Sequence, residues 1–445
     1  MKRIFSILMF AAVLLTSCKD KEVVSALAPV PAPTWFTNED YFNEKNGMYV
    51  EMPIDTNCIV MLGDDYMDRG EWQLFFNNKK IRNRGIALDG TEHVRYRVDS
   101  IAVKHPKIIF VSAGMRDVLH GDAADSTVSR VLEIMDRAKT LAPKTALYYL
   151  GTIPTGKMDA GQIAKVGEIN TKLSEAAQNG KFKYIDIPAV VVGDKGTLSD
   201  KYTWNGVNLN GAGYEVYAKA IEEYIGTPAL NKANDRKYKE ITDYYKHRVS
   251  IFNSLPNTYN FIIMLGNSLN NNALWVELLP FTSVINRGIS GDVIEGVYNR
   301  IDDIAEEKPN KIYLMIGTND IINNKDIKVS ELWASYEKLI KKIRSDVPKA
   351  YLYIQSTLPL NPKSKYYEGF NPKVEELNKL LAANTGKYNY IYLDIAEKMK
   401  DDKGDLKAEY TTDGVHLSAN GYFVWATQLA QGNRMIIMDD VNKYE

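Results

Sequence analysis

Short apolar runs alternate along this chain with longer stretches whose apolar positions return every three to four residues. In the later half the runs are Phe261 to Leu265, Ser283 to Asn286, Lys311 to Ile316, Ala350 to Ser356 and Tyr390 to Asp394. Their length and flanking turn residues predict buried strands. Between them lie amphipathic stretches such as Val329 to Ser345, which Val347-Pro348 should terminate. Strand–helix alternation predicts a parallel sheet with right-handed crossovers and helices on both faces.

The same pattern occurs twice. Ile59-Val60-Met61-Leu62-Gly63-Asp64-Asp65-Tyr66 superimposes on Ile262-Ile263-Met264-Leu265-Gly266-Asn267-Ser268-Leu269, 203 positions on. That shift also carries Tyr41 onto Tyr244, Trp72 onto Trp275, Asn83-Arg84-Gly85 onto Asn286-Arg287-Gly288 and Gly114 onto Gly317. A register held so long predicts two copies of one domain. We place them at residues 41–228 and 251–432, joined by a connector helix within 229–250 and followed by a tail at 433–445. The chain's 445 residues suffice for two such cores.

The beginning of the chain reads differently. Met1-Lys2-Arg3 followed by the apolar Ile4 to Leu15 is a targeting segment, too short to span a bilayer comfortably. Its end, Leu15-Thr16-Ser17-Cys18, resembles the lipobox of bacterial lipoproteins, which makes residues 1–18 a signal segment with its lipobox cysteine and implies cleavage before Cys18, which becomes the lipidated N-terminus. Lys19-Asp20-Lys21-Glu22 resembles the charged tag of surface-exposed lipoproteins in the Bacteroides group. Pro29, Pro31 and Pro33 stiffen the tether at 19–40. A lipoprotein of the bacterial envelope, held at the outer membrane by its lipid, is the expectation. The formal net charge of −1 argues against a nucleic-acid partner. Two cysteines, Cys18 and Cys58, cannot make a disulfide scaffold, and no cluster at zinc spacing predicts a metal. No cofactor is expected.

Polar residues of chemical interest stand at strand ends of the later copy: Ser268, Gly288, Asn319, and the pair Asp413 and His416 in a late loop. Serine-based ester hydrolysis needs an oxygen nucleophile, a base and donors for a developing oxyanion. Ser268 supplies the first, His416 the second with Asp413 to orient it, and the N–H groups of Ser268 and Gly288 with the Asn319 amide the third. Singly, each has a plain structural reading: a capping serine, a core or surface imidazole, a turn asparagine. His93, His105, His120 and His247 are read that way. The earlier copy carries Asp65, Arg116, Asn205 and Asn208 at the positions of Ser268, Asn319, Asp413 and His416, while its glycines and Trp72 persist. It is expected to fold without doing the reaction. Asp65 as a carboxylate nucleophile lacks an aligned base.

The blocks Gly266-Asn267-Ser268-Leu269, Gly288, Gly317-Thr318-Asn319-Asp320 and Asp413-Gly414-Val415-His416 together resemble the GDSL, or SGNH, hydrolase family. The resemblance implies two tandem flavodoxin-like three-layer α/β/α domains, with Ser268, Gly288, Asn319 and His416 as the signature residues of the second. Asn267 stands where that family usually has Asp. The runs Asn286 to Asp292 and Gln355 to Pro359 look most like bacterial carbohydrate acetylesterases, with sialate O-acetylesterases and the platelet-activating-factor acetylhydrolase group sharing this look. The expected partner is an acylated carbohydrate or other small ester. Alternatives are a glycan-binding lipoprotein without turnover, or a lysophospholipase or thioesterase using the same residues.

Overall fold

In the computed structural model, residues 27–229, 242–256, 261–280 and 282–441 are described, with side chains to residue 431. The targeting segment with Cys18 and most of the connector lie outside them. Two five-stranded sheets are present, every strand pairing parallel. In the first, β1 (Ile59–Gly63), β2 (Ile81–Gly85), β3 (Ile108–Ser112), β4 (Ala146–Leu150) and β5 (Lys183–Ile185) run in the order 2-1-3-4-5. In the second, β6 (Ile262–Gly266), β7 (Val284–Gly288), β8 (Lys311–Met315), β9 (Tyr351–Gln355) and β10 (Ile391–Leu393) repeat that order. It is the flavodoxin-like order, which opens a crevice where the winding reverses beside β1 and β6. The expected strands of the later copy all form, to within two residues.

Corresponding pairs share a register: Met61 opposes Asn83, and Met264 opposes Asn286. The helices that bear on the site are, in chain order, α1 (Glu39–Glu51), α2 (Asp65–Asp68), α3 (Thr91–Ala102), α4 (Gly211–Ala220), α5 (Asp243–Ser254), α6 (Ser268–Asn272), α7 (Thr318–Asn323), α8 (Val329–Asp346) and α9 (Ala419–Val441). On α8, Leu332, Tyr336, Leu339, Ile340 and Ile343 recur at helical spacing and are all buried, and the helix stops at Val347 before Pro348 as its sequence requires. Helix α9 runs on to Val441, through most of the stretch read as a tail.

Periodicity gave no sign of one feature. Each copy is preceded by a helix, and the two helices are exchanged. Helix α1 precedes the first sheet, yet its Met48 and Met52 lie in the core of the second half with Leu269, Trp275 and Trp425, and it packs on α9. Helix α5 precedes the second sheet, yet Ile251 and Leu255 belong to the first half's core with Trp72 and Tyr214, and it packs on α4. The tyrosine two turns earlier on each helix reaches back to its own copy: Tyr41 Oη donates to Asp68 at 2.8 Å, and Tyr244 Oη to Asn271 at 3.3 Å. Between the halves, Arg84 binds Glu277 through two hydrogen bonds of 2.9 Å in a buried setting. The halves therefore form one interlocked body.

Candidate active site

Ser268 sits at the first helical position of α6, directly beyond the tip of β6. Asn267 caps that helix, its side-chain oxygen accepting from the Leu269 N–H at 3.1 Å. Asp64 does the same for Tyr66 in the first copy, where burial pushes its carboxyl well above the usual range. At a site 1% exposed, a neutral amide caps as well without burying a charge. That is the physical reason Asn serves where Asp is usual.

Behind the serine, Asn286 binds the end of α6. Its side-chain N–H groups donate to the carbonyls of Asn270 at 2.7 Å and Asn271 at 3.2 Å, while its oxygen accepts from the Gly288 N–H at 2.8 Å. A Cβ on Gly288 would stand 2.2 Å from the Asn271 nitrogen, so glycine is required for packing of the serine helix. This corrects the expectation for Gly288: its N–H is engaged and is not a free oxyanion donor.

Structure brings together the other expected residues. Ser268 Oγ lies 3.1 Å from His416 Nε2, and His416 Nδ1 lies 2.7 Å from Asp413 Oδ2. The Asp413 partner fixes Nδ1 as the protonated nitrogen, so Nε2 is the acceptor facing the serine. Asp413 is itself held by its loop, Oδ1 accepting from the N–H groups of Val415 at 2.8 Å and His416 at 2.7 Å. Burial would raise the Asp413 pKa, but the hydrogen bond and charge of His416 with those two N–H groups hold it down at about 2. For His416, burial pulls the pKa down. The hydrogen bond to Asp413 and the charges of Glu44 and Asp413 overcome that, leaving it above the ordinary histidine value.

Asn319, near the start of α7, donates one side-chain N–H to the Asp292 carbonyl at 2.9 Å, which orients the amide and leaves its second N–H. The Asp292 carboxylate is bound by Arg300 at 2.8 Å, and the same guanidinium reaches the carbonyl of Arg287 at 2.6 Å. Asp89 and Arg97 repeat that arrangement in the first copy.

The first copy shows which groups point at the reacting position. Asp65 replaces Ser268, and its Oδ2 accepts from the Leu88 N–H at 3.0 Å and from Arg116 Nε at 2.8 Å. Leu88 corresponds to Gly291 and Arg116 to Asn319. The carboxylate thus lies among the donors that an oxyanion would need, and Arg116 keeps it ionised despite full burial. By this correspondence the missed donor is Gly291. Its N–H makes no hydrogen bond among the described residues, its φ is +81°, and the space beside its Cα is open. The signal was present in the repeat: Asn-Arg-Gly is identical in both copies, including the emptied one, whereas Gly291 and Leu88 differ.

Of the remaining histidines, His93 accepts from the Gly90 N–H, and His120 pairs with Asp122. His247 is fully buried against Trp204 with neither ring nitrogen hydrogen-bonded, so it is a core ring but not a hydrogen-bonded one. Among the described residues no group of His, Cys, Asp and Glu could hold a metal, and no helix is long and apolar enough to cross a membrane.

The GDSL-like Lipase/Acylhydrolase family matches residues 64–216 and again 266–423, more than half of the chain. The chain belongs to this family. Both copies are GDSL-like domains, and the family acts on esters. Platelet-activating factor acetylhydrolase IB subunit alpha1 of Homo sapiens is 25% identical over 174 residues, 38% of this chain and 74% of that protein. N-acylneuraminate cytidylyltransferase of Escherichia coli is 26% identical over 202 residues, 44% of this chain and 46% of that protein. Among solved structures, a GDSL-like lipase from Bacteroides thetaiotaomicron is 20% identical, covering 39% of this chain and 88% of its own at a TM-score of 0.35. A carbohydrate acetylesterase from Sinorhizobium meliloti is 16% identical, covering 40% and 99% at 0.34.

Proposed function

We propose that this GDSL-like hydrolase removes acetyl or other short acyl groups from a carbohydrate through an acyl-enzyme on Ser268. The 3.1 Å contact between Ser268 Oγ and His416 Nε2, continued at 2.7 Å to Asp413, carries the proposal. Ser268 Oγ attacks the ester carbonyl while its proton passes to His416 Nε2. The carbonyl oxygen becomes an oxyanion, met by the N–H groups of Ser268 and Gly291 and the free N–H of Asn319. Collapse breaks the bond to the alcohol oxygen, which leaves with the proton from His416. Water then attacks acyl-Ser268 with His416 again as base, and the carboxylic acid and Ser268 are released.

Short-chain preference and a sugar substrate draw support from the names of two relatives, an acetylhydrolase and an enzyme acting on an N-acylneuraminate. Placement at the envelope rests on the lipobox-like Leu15 to Cys18. The second copy's complete base and nucleophile weigh against pure glycan binding. A panel of acetylated sialic acids, acetylated xylan fragments and aryl esters of increasing chain length tests the reading. Release of acetate from a sugar by the wild type and not by Ser268→Ala supports it. Hydrolysis confined to long-chain esters contradicts the short-acyl assignment.

A further inference from the structure

Glu44 is a buried carboxylate, 2% exposed, on α1. Although α1 precedes the first sheet, Glu44 faces the second half: its Oε1 accepts from Asn272 Nδ2 at 3.1 Å. Asn272 is the last residue of α6, the helix that begins with Ser268. Met48, one turn further along α1, packs in the same core as Leu269, the neighbour of Ser268. The Tyr422 hydroxyl, which donates to the Leu269 carbonyl at 3.0 Å, also meets Glu44. The carboxylate thus stands against the underside of the serine helix and close enough to His416 for its charge to act on the ring.

We propose that Glu44 is a positioning residue for the reaction in the other half of the chain: it clamps the end of the Ser268 helix through Asn272 and sets a second negative charge beside the His416–Asp413 pair. The inference rests on the serine-hydrolase reading above. When His416 takes the serine proton it becomes a cation, and a buried carboxylate nearby stabilises that cation more than the neutral ring.

The exchanged helices supply an internal control. The residue of α5 corresponding to Glu44 is His247, equally buried and facing the copy that has no base. Burial and the nearby Arg69 and Arg248 push His247 well below the usual histidine range, so that helix delivers a neutral ring. Of the two equivalent positions, only the one on the helix that faces the serine holds a carboxylate. The charged and titratable groups facing Glu44 are His416 and Asp413 from the late loop, Lys45 from its own helix and Tyr422 from α9. Burial raises the Glu44 pKa to about 6, against the pull of His416, Lys45 and Asn272, so the carboxylate is ionised at neutral pH.

The test compares full-length wild type, E44Q, E44D and S268A on an aryl acetate, with kcat and KM measured across pH and folding checked by thermal melting. E44Q keeps a side-chain oxygen for Asn272 and removes the charge. The expected result is a fall in kcat of about tenfold with KM changed less than about twofold, and an acid limb of kcat/KM moved to lower pH. E44D restores the limb to its wild-type position. A folded E44Q with wild-type kcat and limb overturns the inference, as does an equal loss in E44Q and E44D with the limb unmoved, which marks packing alone. Should E44Q not fold, Asn272→Ala decides, since it releases the serine helix from Glu44 while the carboxylate keeps its charge: lower kcat with the limb in place supports the clamp, and wild-type kcat overturns it. Wild type no more active than S268A would instead sink the serine-hydrolase reading, which separates the two failures.

Discussion

Asn319 is the residue whose loss separates oxyanion stabilisation from the rest of the chemistry. Its amide is held at 2.9 Å by the Asp292 carbonyl, so Asn319→Ala removes one donor without disturbing Ser268 or His416. A fall in kcat of roughly 10²–10³ with little change in KM is expected, read from steady-state kinetics on an aryl acetate. A loss under threefold would mean that the amide does not meet the oxyanion. Proton transfer makes a second forecast. His416 must be neutral to act as base, and its pKa is raised, so activity should climb with pH along a limb centred above the usual histidine value of about 6.5. A limb centred well below that value would contradict the charge environment described for the ring. The same shift stabilises the fold below the unfolded pKa, and that contribution disappears as pH rises through the folded one. Ser268, Asn319, Asp413 and His416 were legible in the sequence because their counterparts in the first copy changed while the packing residues did not. Gly291 was less legible because the repeated block Asn286-Arg287-Gly288, which holds the short helix after the first strand in both copies, stands out more strongly in the sequence. Glu44 was illegible for a different reason: it lies more than two hundred positions before the serine, on a helix whose sequence assigns it to the other copy.

Helices α1 and α5 are exchanged between the two halves. The pattern of apolar residues specified the strands and α8 almost to the residue, because each buries a face whose period is local. It could not say on which sheet α1 or α5 would lie, since Met48 and Ile251 satisfy either core. The choice is made by long-range contacts of the helices themselves, Glu44 with Asn272 and Arg248 with Glu71, while the Arg84–Glu277 pair ties the two halves directly. A consequence is that truncating a residue of the first helix should weaken the second core. Met48→Ala, at a fully buried position, is expected to cost about 2–5 kcal/mol. Chemical denaturation followed by tryptophan fluorescence checks it. A loss below about 0.5 kcal/mol would mean that α1 does not contribute to that core.

At the scale of the molecule, two copies of one fold have diverged in their sites while remaining mechanically joined. In the first, the Asp65–Arg116 pair fills the position of nucleophile and oxyanion donor, and Asn208 stands where a base would be. Asp65→Asn should leave turnover within about twofold of wild type. It should also lower stability by roughly 1–3 kcal/mol, because Arg116 loses its charged partner. Cutting the chain to residues 251–432 removes α1 and uncovers Leu269 and Trp275, so that fragment should not hold an active site unaided. The central claim, one working serine in the later copy and none in the earlier, is tested most directly by intact-mass analysis after treatment with a serine-reactive fluorophosphonate. A single adduct per chain is expected, present in wild type and in Asp65→Asn and absent in Ser268→Ala. An adduct that survives Ser268→Ala, or none on the wild type, would contradict it.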